Sequence, residues 1–531
     1  MGNFGSFNVR HMTMTRIALI ALLLLPVCDV AQAQKRPVLQ ITTTVDFGED
    51  RGQNFGSLFE ARDADGRVVY GAGFAGLYNT RFRMDRFTLQ FFIRGADDRA
   101  ATFETLPPPT DDGGTYLFDL DRRVHQFSHY QDRIVRWWDD ASGRWQVDES
   151  FGRRAMRSGD GKMRLAGNVL HFKGGEAWYD GRRIISRPKA GHYHHFYYAN
   201  GHLVFFHNNR GGHPAFSRLY AVPWVPGSGP SDLDRAITLD VKYPGETPFA
   251  IGQLGGEIID SSNQGGVYAF NGKQWRVLVE PDNKVSYQLY SMLNWYDKLL
   301  MAQYPTGNLF EYDGKQIRHL KDSPPVMPGV SNRAREAQTT CIYGGDLYVG
   351  VWPWAELWRY DAHEGKWHFV KRMFQRPAIT DKMNHPWEDQ IGNYNKAHEK
   401  DIVYNSWGQR VTGLIPMGDA LYISVSAKGC PKRDMRLEFL HDDNVWNEYR
   451  VVHRMRRPGC AATAIQWTGK PTTLQFTVTG DRMSIAQDGR ELMSAPVAAA
   501  LTARLKEARI GWGAGMFGPL RGTIRSRASL P

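Results

Sequence analysis

Cysteine is scarce, with 4 in 531 residues. Cys28 lies in the N-terminal segment. Cys341, Cys430 and Cys460 remain, an odd number that argues against a disulfide framework. Cys430 and Cys460 could still clip one loop, leaving Cys341 as a buried strand thiol, and their spacing fits no zinc motif. The chain also lacks a G-x-x-x-x-G-K-[ST] phosphate loop, a G-x-S-x-G elbow and an H-E-x-x-H pair, so nucleotide-hydrolase, serine-hydrolase and zincin chemistry are set aside. Two G-x-G-x-x-G matches, beginning at Gly71 and Gly513, open no helical pattern and read as turns at strand ends. Composition excludes collagen-like, coiled-coil and disordered classes.

Long apolar runs are missing except near the start. Arg16 is followed by IALIALLLLPVC, 12 residues long, and then by Ala31-Gln32-Ala33. The run is too short for a permanent span, and the A-x-A site predicts a signal peptide over 1–33. Pro26-Val27 before Cys28 makes a poor lipobox. The expected mature chain is exported, secreted or periplasmic, and has no membrane span. Its net charge of +11 becomes +10 once Arg10, Arg16 and Asp29 are removed. Excess positive charge favours polyanions. For an exported protein that points to an acidic polysaccharide rather than nucleic acid.

Glycine (54) and tryptophan (16) are plentiful, as in chains built from many turns and aromatic strand anchors. Residues 35 to about 455 read as short strands divided by turns. A loose unit recurs in IVRWWDDASGRWQV (134–147), EAWYDGRRII (176–185), GVYAFNGKQWRVLV (266–279), NLFEYDGKQIRHL (308–320) and ELWRYDAHEGKWHFV (356–370), and more weakly in LEFLHDDNVWNEYRVV (437–452). The residues opening these turns are Asp140, Asp180, Asn271, Asp313, Asp361 and Asp442, at steps of 40, 91, 42, 48 and 81. Two steps near double length each suggest a diverged copy, the first filled by the His-rich hairpin with Leu219-Tyr220-Ala221. LFEARDADGRVVYGAG and FTLQFFIRG upstream are expected to add a further blade.

A period of 40–50 residues with four strands per unit predicts an all-β fold, a β-propeller of about seven blades. IYGGDLYVGVWPWAELWRYDAHEGKW carries the order most clearly and resembles kelch- or BNR-type propellers, without a strict S-x-D-x-G-x-x-W box. Loop-like insertions stand out at Pro107–Pro109, Val225–Asp234, Lys321–Arg335 and Gln375–Arg410. The propeller is expected over 34–458, with a β-rich C-terminal module over 459–531. That module is lectin-like or capping, and earlier strands are one way of completing it.

Gly191–Arg218 holds six of the 17 histidines. Asn200-Gly201 suits a type I′ hairpin turn. The resulting register sets Ala199 against His202, Tyr198 against Leu203, Phe196 against Phe205 and His194 against His207. Alternation then places His194, Tyr198 and His207 on one face. Abstracting a proton beside a uronic carboxylate needs a cation for the carboxylate, a base, and an acid for the leaving oxygen. Arg, His and Tyr supply these. The candidate catalytic residues are therefore His194, His207, Tyr198 and Arg210. Candidate substrate-binding residues are Arg218, Tyr304, Arg333, Arg335, His385, Trp387 and Arg410, on loops of several blades that one rim would gather. His125 with His129 and Tyr130 forms a third group, and Trp137, Trp138, Trp352 and Trp354 are stacking candidates. Each of these residue types also serves as an ordinary loop or packing residue.

In ingredients and architecture the chain resembles propeller-fold polysaccharide lyases such as those cutting ulvan, which implies β-elimination on an acidic polysaccharide. Two other readings stand beside it. A glycoside hydrolase would use two carboxylates among Glu257, Asp260, Glu336, Glu388 and Asp389. A non-catalytic propeller would bind glycan or protein. No cofactor is specified; a structural calcium or zinc stays open, with His194 and His207 as zinc ligands.

Overall fold

A computed structural model describes residues 37–530, apart from 79–84, 95–100, 129–133, 153–159, 285–286, 331–334 and 381–382. The expected signal peptide lies outside the described residues, as do His129, Tyr130 and Arg333.

From Tyr116 onward the chain lays down antiparallel four-stranded sheets in sequence, each a meander whose strands pair with their chain neighbours. The first sheet is Tyr116–Leu120, Arg123–Phe127, Arg136–Asp139 and Arg144–Val147. The second is Gly161–Leu165, Asn168–Lys173, Glu176–Tyr179 and Arg182–Ile185. The third is His192–Ala199, His202–Asn208, Ser217–Pro223 and Ile237–Asp240. The fourth is Pro248–Leu254, Glu257–Ser262, Val267–Phe270 and Trp275–Val279. The fifth is Gln288–Trp295, Lys298–Tyr304, Leu309–Tyr312 and Ile317–His319, and the sixth is Glu336–Tyr343, Asp346–Trp352, Glu356–Asp361 and Lys366–Arg372.

The seventh sheet takes Arg410–Met417, Ala420–Ser426 and Val452–Arg456 from late in the chain and Thr102–Leu106 from early in it. Glu104 on that early strand holds Arg454 at 2.7 Å and Arg456 at 2.9 Å. The seventh sheet also returns to the first, through Thr412 Oγ1 donating to the Thr115 carbonyl at 2.6 Å. The sheets thus close on themselves as a β-propeller, which leaves no blade face unburied.

Asn271, Asp313 and Asp361 each open the turn between third and fourth strands. Each accepts two backbone N–H groups of that turn on its side-chain oxygen. Asp442 does something else: it caps the helix Asp443–Arg450, accepting from Asn444 N–H. The weak copy at 437–452 is therefore largely helical, and the long step from 361 to 442 holds both an inserted helix, Glu388–His398, and the first two strands of the seventh sheet.

The upstream strands do not form a blade of their own. Gly56–Arg62, Val68–Phe74 and Thr88–Ile93 share a five-stranded sheet with Cys460–Ala464 and Arg509–Trp512. Leu39–Asp46 lies between Thr472–Thr479 and Thr523–Leu530 in another, completed by Arg482–Gln487 and Arg490–Pro496. Leu39–Asp46 and Thr472–Thr479 both alternate buried with half-buried residues, as strands with one covered face do. Between the two sheets sit Phe59, Phe91 and Phe476, with ring centres 5.1 and 5.2 Å apart. This β-sandwich meets the C-terminal ends of the first strands of the third, fourth and fifth sheets. Gly52 (φ +79) lies on Tyr198 there, so closely that a β-carbon would fall 2.5 Å from the ring. A short strand, Leu77–Tyr78, leaves the sandwich and pairs along the inner edge of the fifth sheet.

Cys341, Cys430 and Cys460 are all buried and stand as thiols. The loop clip that Cys430 and Cys460 could have made is not formed; Cys460 belongs to a sandwich strand and pairs with Phe92.

Candidate functional site

The Asn200–Gly201 turn forms as the sequence requires, with φ of +49 and +75. The pairs Ala199–His202 and Tyr198–Leu203 follow, and then the register slips. His195 adopts φ +55 and a bulge sets two residues against one. His194 therefore pairs with Phe206, and Tyr193 takes the place opposite His207. The expected facing of His194 and His207 is corrected by that single extra residue. The same break recurs near the start of the first strand in the fourth to seventh sheets. It is a property of this fold rather than an accident of one hairpin.

What the bulge brings to His207 is a row across the third sheet: Tyr193, His207, Arg218 and Asp240. Tyr220, two residues from Arg218 and so on its face, completes the group. His207 Nε2 lies 2.8 Å from the Ala190 carbonyl, an acceptor only, so this nitrogen carries the proton. Nδ1 is left with its lone pair toward the Tyr220 hydroxyl, at 3.4 Å. Burial, with Arg218 and His192 nearby, lowers the His207 pKa, although the Ala190 contact works against it. Arg218 is held by Asp240 and hydrogen-bonds Tyr220, and both raise its pKa. The phenol oxygen thus sits between an imidazole lone pair and a guanidinium. The sequence reading missed Tyr220, although its two-residue offset from Arg218 would have shown it once Arg218 was set opposite His207.

The other candidates fall in three places. His194 shares a proton with His195, Nδ1 to Nδ1 at 2.7 Å, and burial first, then His192 and His207, lowers its pKa to about 4. Tyr198 is wholly buried at the other end of the hairpin, where its hydroxyl donates to the Trp224 carbonyl and burial raises its pKa. Arg210 is exposed on the loop joining the second and third strands of the third sheet.

Arg410, Arg335, His385 and Trp387 are buried. Arg410 pairs with Glu336 at 2.9 Å and Arg335 with Glu356 at 3.1 Å. His385 packs edge-on to Trp352 and Tyr404, and burial lowers its pKa to about 4. Trp387 donates to the Tyr449 hydroxyl and stacks on Phe439. The helix Glu388–His398 and the helix Asp443–Arg450 belong to the two insertions that cover this part of the rim. Tyr304 is half-buried beside Tyr290. His125 is buried and pairs with Asp148 at 3.0 Å. Trp352 and Trp354 are also buried, with none of their ring faces open for stacking.

Among the described residues, the one grouping of three potential metal ligands is Asp361, Glu364 and His368 on a hairpin of the sixth sheet. Asp361 is already engaged by Arg94 and by turn N–H groups.

No family model matches the chain, and no curated protein does. Among solved structures it is similar to a computationally designed protein, Ika8, at 11% identity over 62% of this chain and 96% of that one, with a TM-score of 0.34. It is also similar to YCF48 bound to D1 peptide, at 9% identity over 68% and 98% (TM-score 0.34). A third likeness is the WD40 β-propeller domain of Doa1, at 9% over 72% and 97% (TM-score 0.31). At such scores the fold rests on the sheet order above, which defines a β-propeller joined to a β-sandwich. No helix among the described residues is long and apolar enough to cross a membrane.

Proposed function

We propose that the chain is an exported carbohydrate-active enzyme that cleaves an acidic polysaccharide by β-elimination, with its site on the third sheet. The seven sheets are its blades in this reading, and the sandwich is an accessory module built from both ends of the chain. The observation that carries the proposal is the Tyr220 hydroxyl lying between the His207 lone pair and Arg218. A phenol so placed can relay a proton, taking one from the substrate as its own passes to the His207 lone pair, with the guanidinium beside the oxygen throughout.

Tyr220 then takes the proton beside the uronic carboxylate. The carbon–oxygen bond to the leaving sugar breaks as the carbon–carbon double bond forms, and the leaving oxygen takes a proton from Tyr220, which recovers its own from His207. Arg210, exposed on the adjoining loop, is the cation for the substrate carboxylate.

The test is absorbance of unsaturated uronate while the purified protein is mixed with a panel of acidic polysaccharides. Tyr220→Phe and His207→Ala are expected to lower the rate by about 10²–10⁴-fold, the usual worth of general acid–base catalysis. Release of reducing ends without that absorbance would establish hydrolysis instead. Retention on a glycan without cleavage would establish a binding propeller.

A further inference from the structure

One face of the second sheet, turned toward the first, carries a row of basic and aromatic side chains. Lys162 pairs with His171, His171 with Trp178 and Trp178 with Arg183, one from each strand, so the four share that face. Lys173, two residues beyond His171, joins them. They meet the turn Glu149–Phe151 that ends the first sheet. Lys162 Nζ donates to the Ser150 carbonyl at 2.5 Å and to Ser150 Oγ at 3.2 Å, and lies 4.1 Å from the centre of the Phe151 ring. Lys173 Nζ donates to the next carbonyl, that of Phe151, at 3.4 Å. Two ammoniums are thus drawn to adjacent carbonyls.

Among the described residues no carboxylate pairs with either ammonium. The acids whose charge reaches Lys162 are Asp148 and Asp121, and these are held by His125 at 3.0 Å and Arg164 at 2.7 Å. Glu176, across the hairpin from Lys173, is taken by Arg183 and Arg187 at 3.5 and 3.8 Å. Asp160 accepts from the Gly174 N–H at 3.2 Å. Segment 153–159 reads RRAMRSG, with three arginines and no acid. Lys162, His171 and Lys173 are half-buried rather than enclosed. Burial first, then the two lysines, lowers the His171 pKa to about 4. Like charges held this close repel one another, and an anion set among them removes the repulsion. Each ammonium has three N–H groups; Lys162 uses two and Lys173 one, and the rest are left for that anion.

We infer that Lys162, Lys173 and His171 bind an oxyanion of the polysaccharide, the carboxylate or sulfate of a sugar unit beyond the one cleaved. Trp178, next to His171 on the same face, is an indole on which that sugar ring packs. The inference rests on the reading that the substrate is an acidic polysaccharide. It also rests on position. Lys162 near the start of its strand and Lys173 at the end of its own lie on the same rim as Tyr193 and His207 in the third sheet. Gly175, two residues after Lys173, lies so near Tyr193 that a β-carbon there would fall 3.1 Å from its carbonyl. A chain seated on the His207 row therefore has this site beside it.

The test is calorimetric titration of the full chain with polygalacturonate, dextran sulfate, uncharged dextran and polyglutamate. Saturable binding of one of the two anionic glycans is expected, and which one binds tells carboxylate from sulfate. It should weaken by about tenfold or more in Lys162→Ala and in Lys173→Ala, and return in Lys173→Arg. Lys273→Ala, on an exposed turn of the fourth sheet, removes the same charge and should leave binding unchanged. Lys173 is held by a single carbonyl, so its variant tests the site even where Lys162→Ala fails to fold. Four results would overturn the inference: no binding of either anionic glycan, binding indifferent to both site variants, an equal loss in Lys273→Ala, or polyglutamate bound as tightly as the glycan. Lysine-dependent binding without cleavage would remove the lyase reading and uphold this one. Cleavage with binding indifferent to the lysines would remove this one alone.

Discussion

Asp260, on the second strand of the fourth sheet, is wholly buried, and neither carboxylate oxygen has a hydrogen-bond partner. Glu246 stands near it, also wholly buried, with its own oxygens taken by the Tyr243 N–H at 3.1 Å and the Tyr268 hydroxyl at 2.6 Å. Burial first, and the Glu246 charge second, raise the Asp260 pKa well above its ordinary value. Below about pH 4 both folded and unfolded chains carry the proton, and the group adds no pH dependence. Above that pH the unfolded chain releases the proton and the folded one keeps it. Stability present at low pH is therefore lost as pH rises toward the folded pKa.

The loss is ~1.4 kcal/mol for each pH unit, hence ~2.7 kcal/mol over two units. Asp260→Asn keeps the shape and removes the titration. Urea unfolding, followed by tryptophan fluorescence from about pH 4 to about pH 7, should show the variant gaining on the wild type as pH rises, by at most that slope. Asp85 and Asp119, whose pKa values burial also raises, are common to both proteins and cancel in the difference. A difference that stays flat with pH would mean that Asp260 is ionised in the fold, and the reasoning would be wrong.

The Glu336–Arg410 pair, at 0 and 1% side-chain exposure, predicts a loss of about 3–5 kcal/mol for Glu336→Gln in the same assay, because one buried charge is then left unpaired. Glu104→Ala removes half-exposed pairs to Arg454 and Arg456 and should change stability by less than about 1 kcal/mol, and by less still in high salt. If His207 acts as the neutral partner of Tyr220, the acid limb of the pH–rate profile should fall below the ordinary imidazole value of about 6.5, because the His207 pKa is lowered. A limb at or above that value would remove His207 from the role.

Local signals in the sequence were legible and long-range ones were not. Asn200-Gly201 announced its turn, and Asn271, Asp313 and Asp361 announced theirs, because each acts on backbone within four residues of itself. The bulge at His195 has no such signature. A two-against-one pairing is imposed by the neighbouring strand, and that one residue moved His194 away from His207. Nor could Leu39–Asp46 be assigned by pattern. Its alternation marks a strand with one buried face, but its partners lie more than 400 residues away. Arg410, His385 and Trp387 read as loop residues free to meet substrate. Two insertions distant in sequence, packed together through Trp387, Phe439 and Tyr449, bury Trp387, His385 lies between Trp352 and Tyr404, and Arg410 opens a blade strand against Glu336.

The early strand Thr102–Leu106 completes a sheet whose other members end at Arg456, and Leu39–Asp46 is flanked by strands that end at Thr479 and Leu530. In order of synthesis, these early strands are partnered by strands made more than 300 residues later. The sandwich and the seventh sheet therefore cannot be completed until those late strands are made, and such long-range closure is slow relative to local contacts. A chain stopped before Thr523 would carry Leu39–Asp46 with an unpaired edge, and one stopped before Val452 would carry a second, Thr102–Leu106. Open edges of this kind recruit strands from other molecules. A chain cut short in this way is therefore expected to pair with other copies at these open edges.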